Sequence, residues 1–320
     1  MRNRLVFAYN YVKFKFTRRQ AQYENIRAYL KDKEYIPGNR ILSSQRINDE
    51  IYDGIKSGHP LMVGRFGANE LNTVRMFDFE ISGKYKSILK QMNICAGFFP
   101  PTSEMGKRFT EVMINSIPKL DIIGVWMKPF EDYYLKKFGN QHLKMAYILD
   151  LEPWAAPERP WTRALQGKKV LVIHPFAKSI RTQYEKRKEL FPGTDILPKF
   201  ELLTLQAVQT IAGARDDRFS NWFEALEWMY QEALKVDFDI AIIGCGAYGF
   251  PLAAMLKDAG KQAIHLGGAT QLLFGIKGKR WEENEAFAYV QRYFNEAWVY
   301  PSDEDKPKQA ENVENGCYWK

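Results

Sequence analysis

Cysteine is scarce, with three in 320 residues, and Cys95, Cys245 and Cys317 stand far apart without a CxxC pair. That excludes a disulfide framework and a zinc knuckle and suits a reducing compartment. Long apolar runs are missing as well: no stretch reaches the roughly 18 residues of a membrane span. The start, MRNRLVFAYNYVKFKF, is basic, but Asn10 and Lys13 interrupt its apolar part and no small-residue cleavage site follows. A signal peptide is therefore not expected. Internal repeats are absent too. Acids fall short of bases, 38 against 46, for a net charge of +8.

What remains is a globular balance: 46% hydrophobic, 14% aromatic and 26% charged, enough for a substantial core. The excess charge is local. Residues 1–34 hold nine bases (Arg2, Arg4, Lys13, Lys15, Arg18, Arg19, Arg27, Lys31, Lys33) against three acids, with Phe7, Tyr9, Tyr11, Phe14 and Phe16 interleaved. One reading is a segment resting on an anionic membrane surface, where each base contributes about 1 kcal/mol. The other is a solvated helix that packs its aromatic side on the domain. Nucleic acid fits poorly, because no binding module follows the basic segment.

The stretch from Phe238 to Trp281 organises the rest. Asp239 to Ile243 is a short apolar run suited to a parallel strand buried on both faces. Gly244, Cys245, Gly246, Ala247, Tyr248 and Gly249 follow, then a helix from Phe250 to Asp258 that Gly260 stops. Gln262 to Leu266 reads as a second strand, closing on Gly267 and Gly268. In a parallel sheet both turns fall at strand carboxyl ends, where open α/β folds bind ligands. Glycines admit a phosphate close to the backbone, and helix-start N–H groups attract negative charge. Gly244, Gly246 and Gly249 match the spacing of the dinucleotide fingerprint, so an NAD(P)-binding oxidoreductase is one candidate. Its acidic partner on the ribose is missing, however: the next strand ends in Ile264, His265, Leu266, Gly267. A tight turn without a ligand is a further alternative.

A second glycine turn comes earlier. Leu61 to Val63 reads as a strand running into Gly64, Arg65, Phe66, Gly67, Ala68, Asn69 and Glu70, which opens a helix through Phe77. Arg65 suits a phosphate or carboxylate bidentately. Glu70 can ligate a cation, orient a hydroxyl or act as a base; alternatively it only favours the helix dipole. The pattern predicts helices over Gln20–Lys33, Ser44–Lys56 and Ser103–Ile117, with Pro37 and Gly38 punctuating between the first two. Strands are expected over Asp121–Val125 and Met145–Leu149, the latter delivering Asp150 and Glu152 as a candidate divalent-metal ledge. Lys169 to Ile173 is another buried strand, ending in His174, a candidate proton carrier or diphosphate partner. A basic helix follows, then a strand over Phe200–Leu205. Asn221 with Glu224 forms a capping box before an aromatic helix. A last helix is expected from Glu282 to Trp298, and a polar, mobile tail from Pro301.

Taken together, Gly64-Arg65-Phe66-Gly67 with Glu70 and the late unit Ile243 to Gly268 resemble the GT-D-type glycosyltransferases, bacterial enzymes of surface-polysaccharide assembly. The resemblance spans roughly residues 60–280. It implies a Rossmann-like α/β fold, a nucleotide-sugar donor (usually a UDP-sugar) and a divalent cation, manganese or magnesium, held by Asp-x-Glu after the RFG turn. Here Ala68 stands at the Asp position, Asn69 in the middle, and Glu70 keeps the glutamate. The expected fold is α/β with a largely parallel sheet, helices on both faces and an N-terminal helical addition. Its divisions are 1–58 (basic arm and helices), 59–300 (nucleotide-sugar-binding domain) and 301–320 (tail).

The expected function is transfer of a sugar to a glycan or lipid-linked acceptor, in the cytoplasm or at the inner membrane face. A non-catalytic partner of such a pathway is the rival class. The expected roles follow from chemistry. Arg65, Gly67 and the turn Gly244, Gly246, Ala247, Tyr248, Gly249 grip the diphosphate. Glu70 acts as base or cation ligand, and Asn69 orients a hydroxyl. His174, His265, Gly267 and Gly268 border the diphosphate or sugar. Tyr248 or Trp281 stacks on a ring, and Arg280 adds charge at the mouth.

Overall fold

Alternation along the apolar strands sets the layering. A computed structural model describes residues 2–307, 310–313 and 316–319 of the chain. Its strands are β1 (Glu34–Ile36), β2 (Asn39–Leu42), β3 (Leu61–Arg65), β4 (Ile122–Val125), β5 (Lys144–Tyr147), β6 (Lys169–His174), β7 (Glu201–Gln206), β8 (Ile240–Ile243) and β9 (Gln262–His265). They form one nine-stranded sheet in the order β1-β2-β5-β4-β3-β9-β8-β6-β7. Among the described residues the β1–β2 hairpin is antiparallel and the other neighbouring strands pair parallel.

In β8, Ile240 and Ile242 enter one core while Ala241 and Ile243 enter the other, and in β6 Val170 and Val172 oppose Leu171 and Ile173 in the same way. Period-two alternation of side chains thus feeds two apolar layers. One is closed by the helices Ala68–Asp78, Tyr85–Ala96, Ser103–Ser116, Trp222–Leu234 and Gly249–Asp258, the other by Ser44–Ser57 and Ala177–Glu185. This is the expected α/β architecture with helices on both faces.

The chain places β3, β4 and β5 outward on one side, then crosses to β6 and returns through β8 to β9, which pairs with β3. The carboxyl ends of β3, β4, β6, β8 and β9 therefore share one rim, and the two halves of the fold meet between β3 and β9. Such a meeting of halves opens a crevice at the strand ends.

The amino end differs from expectation. One helix runs from Arg2 to Glu24 and a short one from Ile26 to Leu30. Between them Asn25 takes φ 62°, its side chain accepting a hydrogen bond from Arg27 N. Pro37 and Gly38 do stand between two helices, but they do so as the turn of the unexpected β1–β2 hairpin, with Gly38 at φ 83°. The helix expected over Glu282–Trp298 is broken, because the Asn284 side chain accepts from Ala286 N and starts a fresh short turn. Described residues of the tail also pack against the domain. Ala310, Val313, Cys317 and Trp319 are buried, and the carbonyls of Cys317 and Trp319 accept from Arg280 N and Lys279 N.

Candidate functional site

The rim holds a cavity of about 500 Å³. Its walls come from residues at or just past the carboxyl ends of β3 (Arg65, Gly67, Ala68, Asn69, Glu70), β4 (Trp126, Lys128), β6 (His174, Pro175, Phe176), β8 (Gly244, Cys245, Gly246, Tyr248) and β9 (His265, Gly267, Gly268). Segments that the sequence reading left out add Cys95–Gly97, Val208–Ile211 and, from the tail, Val313, Tyr318 and Trp319.

Two glycines make the close approaches. Gly267 has φ 62°, a left-handed conformation that disfavours any side chain, and a Cβ there would lie 2.5 Å from Arg65 Nη2. The guanidinium thus lies across the β9 turn and ties it to β3. At Gly67 a Cβ would collide with the Glu70 carboxylate. That carboxylate folds back over the first turn of the helix Ala68–Asp78, where the dipole favours it. Burial nevertheless raises the Glu70 pKa, against the pull of its own backbone N–H and of Arg65. The carboxylate is the single acid in the cavity wall among the described residues.

Trp126 and Lys128 were missed by sequence reasoning. They follow β4 in a loop where Met127 and Phe130 take positive φ. Buried Glu131 braces that loop, accepting from Trp126 N at 3.1 Å, Lys128 N at 3.3 Å and Tyr35 Oη at 2.6 Å. The Trp126 ring carries Lys128 Nζ at 4.0 Å and the Arg65 guanidinium at 5.5 Å from its centroid. Its indole Nε1 is buried without a hydrogen-bond partner. Burial lowers the Lys128 pKa, and Arg18 and Arg65 push it the same way. The signal for this wall was faint: a Trp-x-Lys just past an apolar run.

The histidines are neutral donors or acceptors. His174 Nδ1 accepts from Phe176 N at 2.9 Å, and burial lowers its pKa to about 3. With Nδ1 occupied as an acceptor, the proton sits on Nε2. This arrangement favours an N–H donor over a proton carrier at His174. His265 Nδ1 faces the Ile243 carbonyl at 3.3 Å, so that nitrogen carries the hydrogen there. Burial, with Arg65 nearby, lowers its pKa to about 3 as well.

Other expected residues sit elsewhere or act otherwise. Gly249 and Ala247 do not line the cavity. Ala247 is in the core, and a Cβ on Gly249 would collide with the His265 ring, so this glycine admits the imidazole. Tyr248 reaches the wall, but its ring stacks on Trp222 at 4.8 Å and its hydroxyl meets Thr210 Oγ1 at 3.0 Å. Trp281 is buried outside the wall. Arg280 lines the cavity and donates to Tyr318 Oη at 3.0 Å.

The Asp150/Glu152 ledge is engaged in structural contacts and does not line the cavity. Asp150 pairs with Arg27 and accepts from Ser44 Oγ at 2.9 Å; Glu152 accepts from Trp154 Nε1 and Tyr289 Oη, both at 2.8 Å. Among the described residues no group of three or more His, Cys, Asp or Glu is placed to hold a metal ion. One carboxylate beside an arginine, with His174 Nδ1 already accepting from Phe176 N and His265 Nε2 as the remaining imidazole lone pair, is a poor donor set for manganese or magnesium, which prefer several oxygen ligands.

Residues 42–273 match the family model of the GT-D fold-like domain. That is well over half of the chain, and the protein belongs to this GT-D-like family. Its role is accordingly of the glycosyltransferase type. No curated protein matches the sequence. Two solved structures of a domain of unknown function 1792 align over 83% of this chain and 92% of theirs. Identities are 13% and 14%, with TM-scores of 0.43 and 0.42. One of them is described as having a distinct glycosyltransferase fold. Among the described residues no helix is long and apolar enough to cross a membrane.

Proposed function

We propose that the protein transfers a sugar from a nucleoside-diphosphate sugar, a UDP-sugar in the first instance, to a hydroxyl of a glycan or lipid-linked acceptor. One observation carries the reading: the turns after β3, β8 and β9 close on a single cavity, with the Arg65 guanidinium laid across Gly267. Arg65 and the N–H groups of the Gly244–Tyr248 turn would hold the diphosphate. Lys128 and Arg280 add positive charge to a wall that carries one acid. Trp126 Nε1, buried without a partner, and the His174 Nε2–H would serve as donors for sugar or phosphate oxygens.

In the reaction the acceptor oxygen bonds to the anomeric carbon and the bond from that carbon to the β-phosphate oxygen breaks. The acceptor proton passes to Glu70, whose raised proton affinity suits a base. The departing diphosphate is stabilised by the fixed cations and N–H groups. No step is assigned to a divalent cation, because the side chains present do not build its site.

The test is release of nucleoside diphosphate with sugar transfer, compared between the parent and Glu70→Gln. Turnover should fall by about 100-fold or more, with donor binding kept. Full activity in the variant would overturn the role of Glu70. A donor-binding partner without turnover is the second reading, favoured by Ala68 at the Asp position. It predicts binding by the parent with no transfer to any acceptor.

A further inference from the structure

The helix Arg2–Glu24 has two apolar faces. Phe7 packs inward, 5.5 Å from the Phe79 ring and 5.0 Å from that of Phe130, and Val6 and Tyr11 join the same core. Leu5, Tyr9, Val12 and Phe16 do the opposite: they are 66%, 69%, 65% and 74% exposed. Their spacing of four, three and four residues puts them on one stripe of the helix. Of the five large hydrophobic residues that stand exposed among the described ones, four lie on this stripe; the fifth is Leu234. Scattered exposed leucines need no explanation, but a continuous row does.

Helical geometry places Arg4, Lys15 and Arg19, all exposed, along one border of the stripe and Lys13 along the other. The helix lacks acidic residues in its first turn, and Lys13 pairs with Asp132 at 2.5 Å. We infer that this outward stripe is a membrane-docking face, and that its partner is an anionic bilayer surface. Apolar side chains would enter the headgroup boundary while the bordering bases meet anionic headgroups, with the helix lying in the plane of the interface. A basic border matches an anionic lipid surface, whereas in a second copy of this chain it would face its own like charge.

Docking this way would also orient the cavity. The same helix rests on Phe130 and Asp132, just past Trp126 and Lys128 in the cavity wall. Arg18, at its far end, is close enough to Lys128 to lower that residue's pKa. The inference does not depend on the proposed reaction, because vesicle binding is read without donor or turnover.

The experiment is co-sedimentation of the whole chain with vesicles of phosphatidylcholine alone and of phosphatidylcholine with phosphatidylglycerol. Binding should require the anionic lipid and weaken as salt rises. Tyr9→Ser with Phe16→Ser should reduce partitioning about tenfold or more. Arg4→Gln, Lys15→Gln and Arg19→Gln together should reduce it by about 100-fold. Thermal unfolding and nucleotide binding should be unchanged in both variants, since the altered side chains are exposed. No binding to anionic vesicles, or binding that both variants keep, would overturn the inference. So would a parent dimer in light scattering that Tyr9→Ser with Phe16→Ser converts to monomer, because a second copy would then cover the stripe.

Discussion

The guanidinium of Arg65, at the end of β3, lies across the α-carbon of Gly267, two residues past β9, so closely that a Cβ there would stand 2.5 Å from Nη2. This contact joins the two halves of the sheet at the rim of the cavity. Gly267→Ala should cost about 1–2 kcal/mol of stability from its left-handed backbone alone. It should also weaken nucleoside-diphosphate binding about tenfold by displacing the arginine. Thermal unfolding and calorimetric titration with UDP measure the two effects separately.

Trp126 offers a sharper separation. Its Nε1 is buried and unpaired, and a buried unpaired donor costs about 1–3 kcal/mol. Removing the N–H in Trp126→Phe should therefore leave ligand-free stability unchanged or slightly raised while weakening donor affinity several-fold. A variant that lost stability and kept affinity would contradict a ligand-facing role for this nitrogen.

Thr210, missed in the sequence, stitches the opposite wall. Its hydroxyl donates to the Gly97 carbonyl at 2.6 Å and meets Tyr248 Oη at 3.0 Å, fully buried. Thr210→Val leaves both partners short of a bond and should cost about 1–3 kcal/mol, read by chemical denaturation.

Stability should depend on pH through two opposing pairs of groups. Burial raises Glu131 and Glu152 from 4.5 to about 7, so their contribution is full below about 4.5 and is lost as pH climbs through 7. Burial lowers His174 and His265 from 6.5 to about 3, so their contribution is full above 6.5 and is lost as pH falls toward 3. Between these values the slopes offset each other. Glu131→Gln removes one of the two acids from the balance: relative to the variant, the parent should lose on the order of 1–3 kcal/mol between about pH 4.5 and 7. Denaturation midpoints of the two proteins across that range provide the check, and a constant difference would contradict it.

Much of this was legible because apolar runs and glycine turns are local signals. The Lys169 and Asp239 runs announced β6 and β8, and Asn221 does cap its helix, accepting from Phe223 N and Glu224 N. Gly244, Gly267 and Arg65 were readable because a parallel sheet sends all strand ends to one rim. The rest depends on tertiary contacts. Nothing local marks Glu131 as the brace of the Trp126 loop. The tail reads as polar, yet Tyr318 and Trp319 return to the cavity. The residue type of His174 suits a proton carrier, whereas its burial and the Phe176 N–H favour the neutral form. The spacing of Gly249 was informative, but its purpose is to admit the His265 ring.

The central claim is that the turns after β3, β8 and β9 hold a nucleoside diphosphate. Calorimetric titration of UDP into the parent and into Arg65→Ala tests it most directly, with NAD as the competing ligand. The account predicts saturable UDP binding by the parent, loss of about 1.5–3 kcal/mol of binding free energy in the variant, and no comparable binding of NAD. Equal UDP affinity in parent and variant, or NAD bound in preference to UDP, would contradict it.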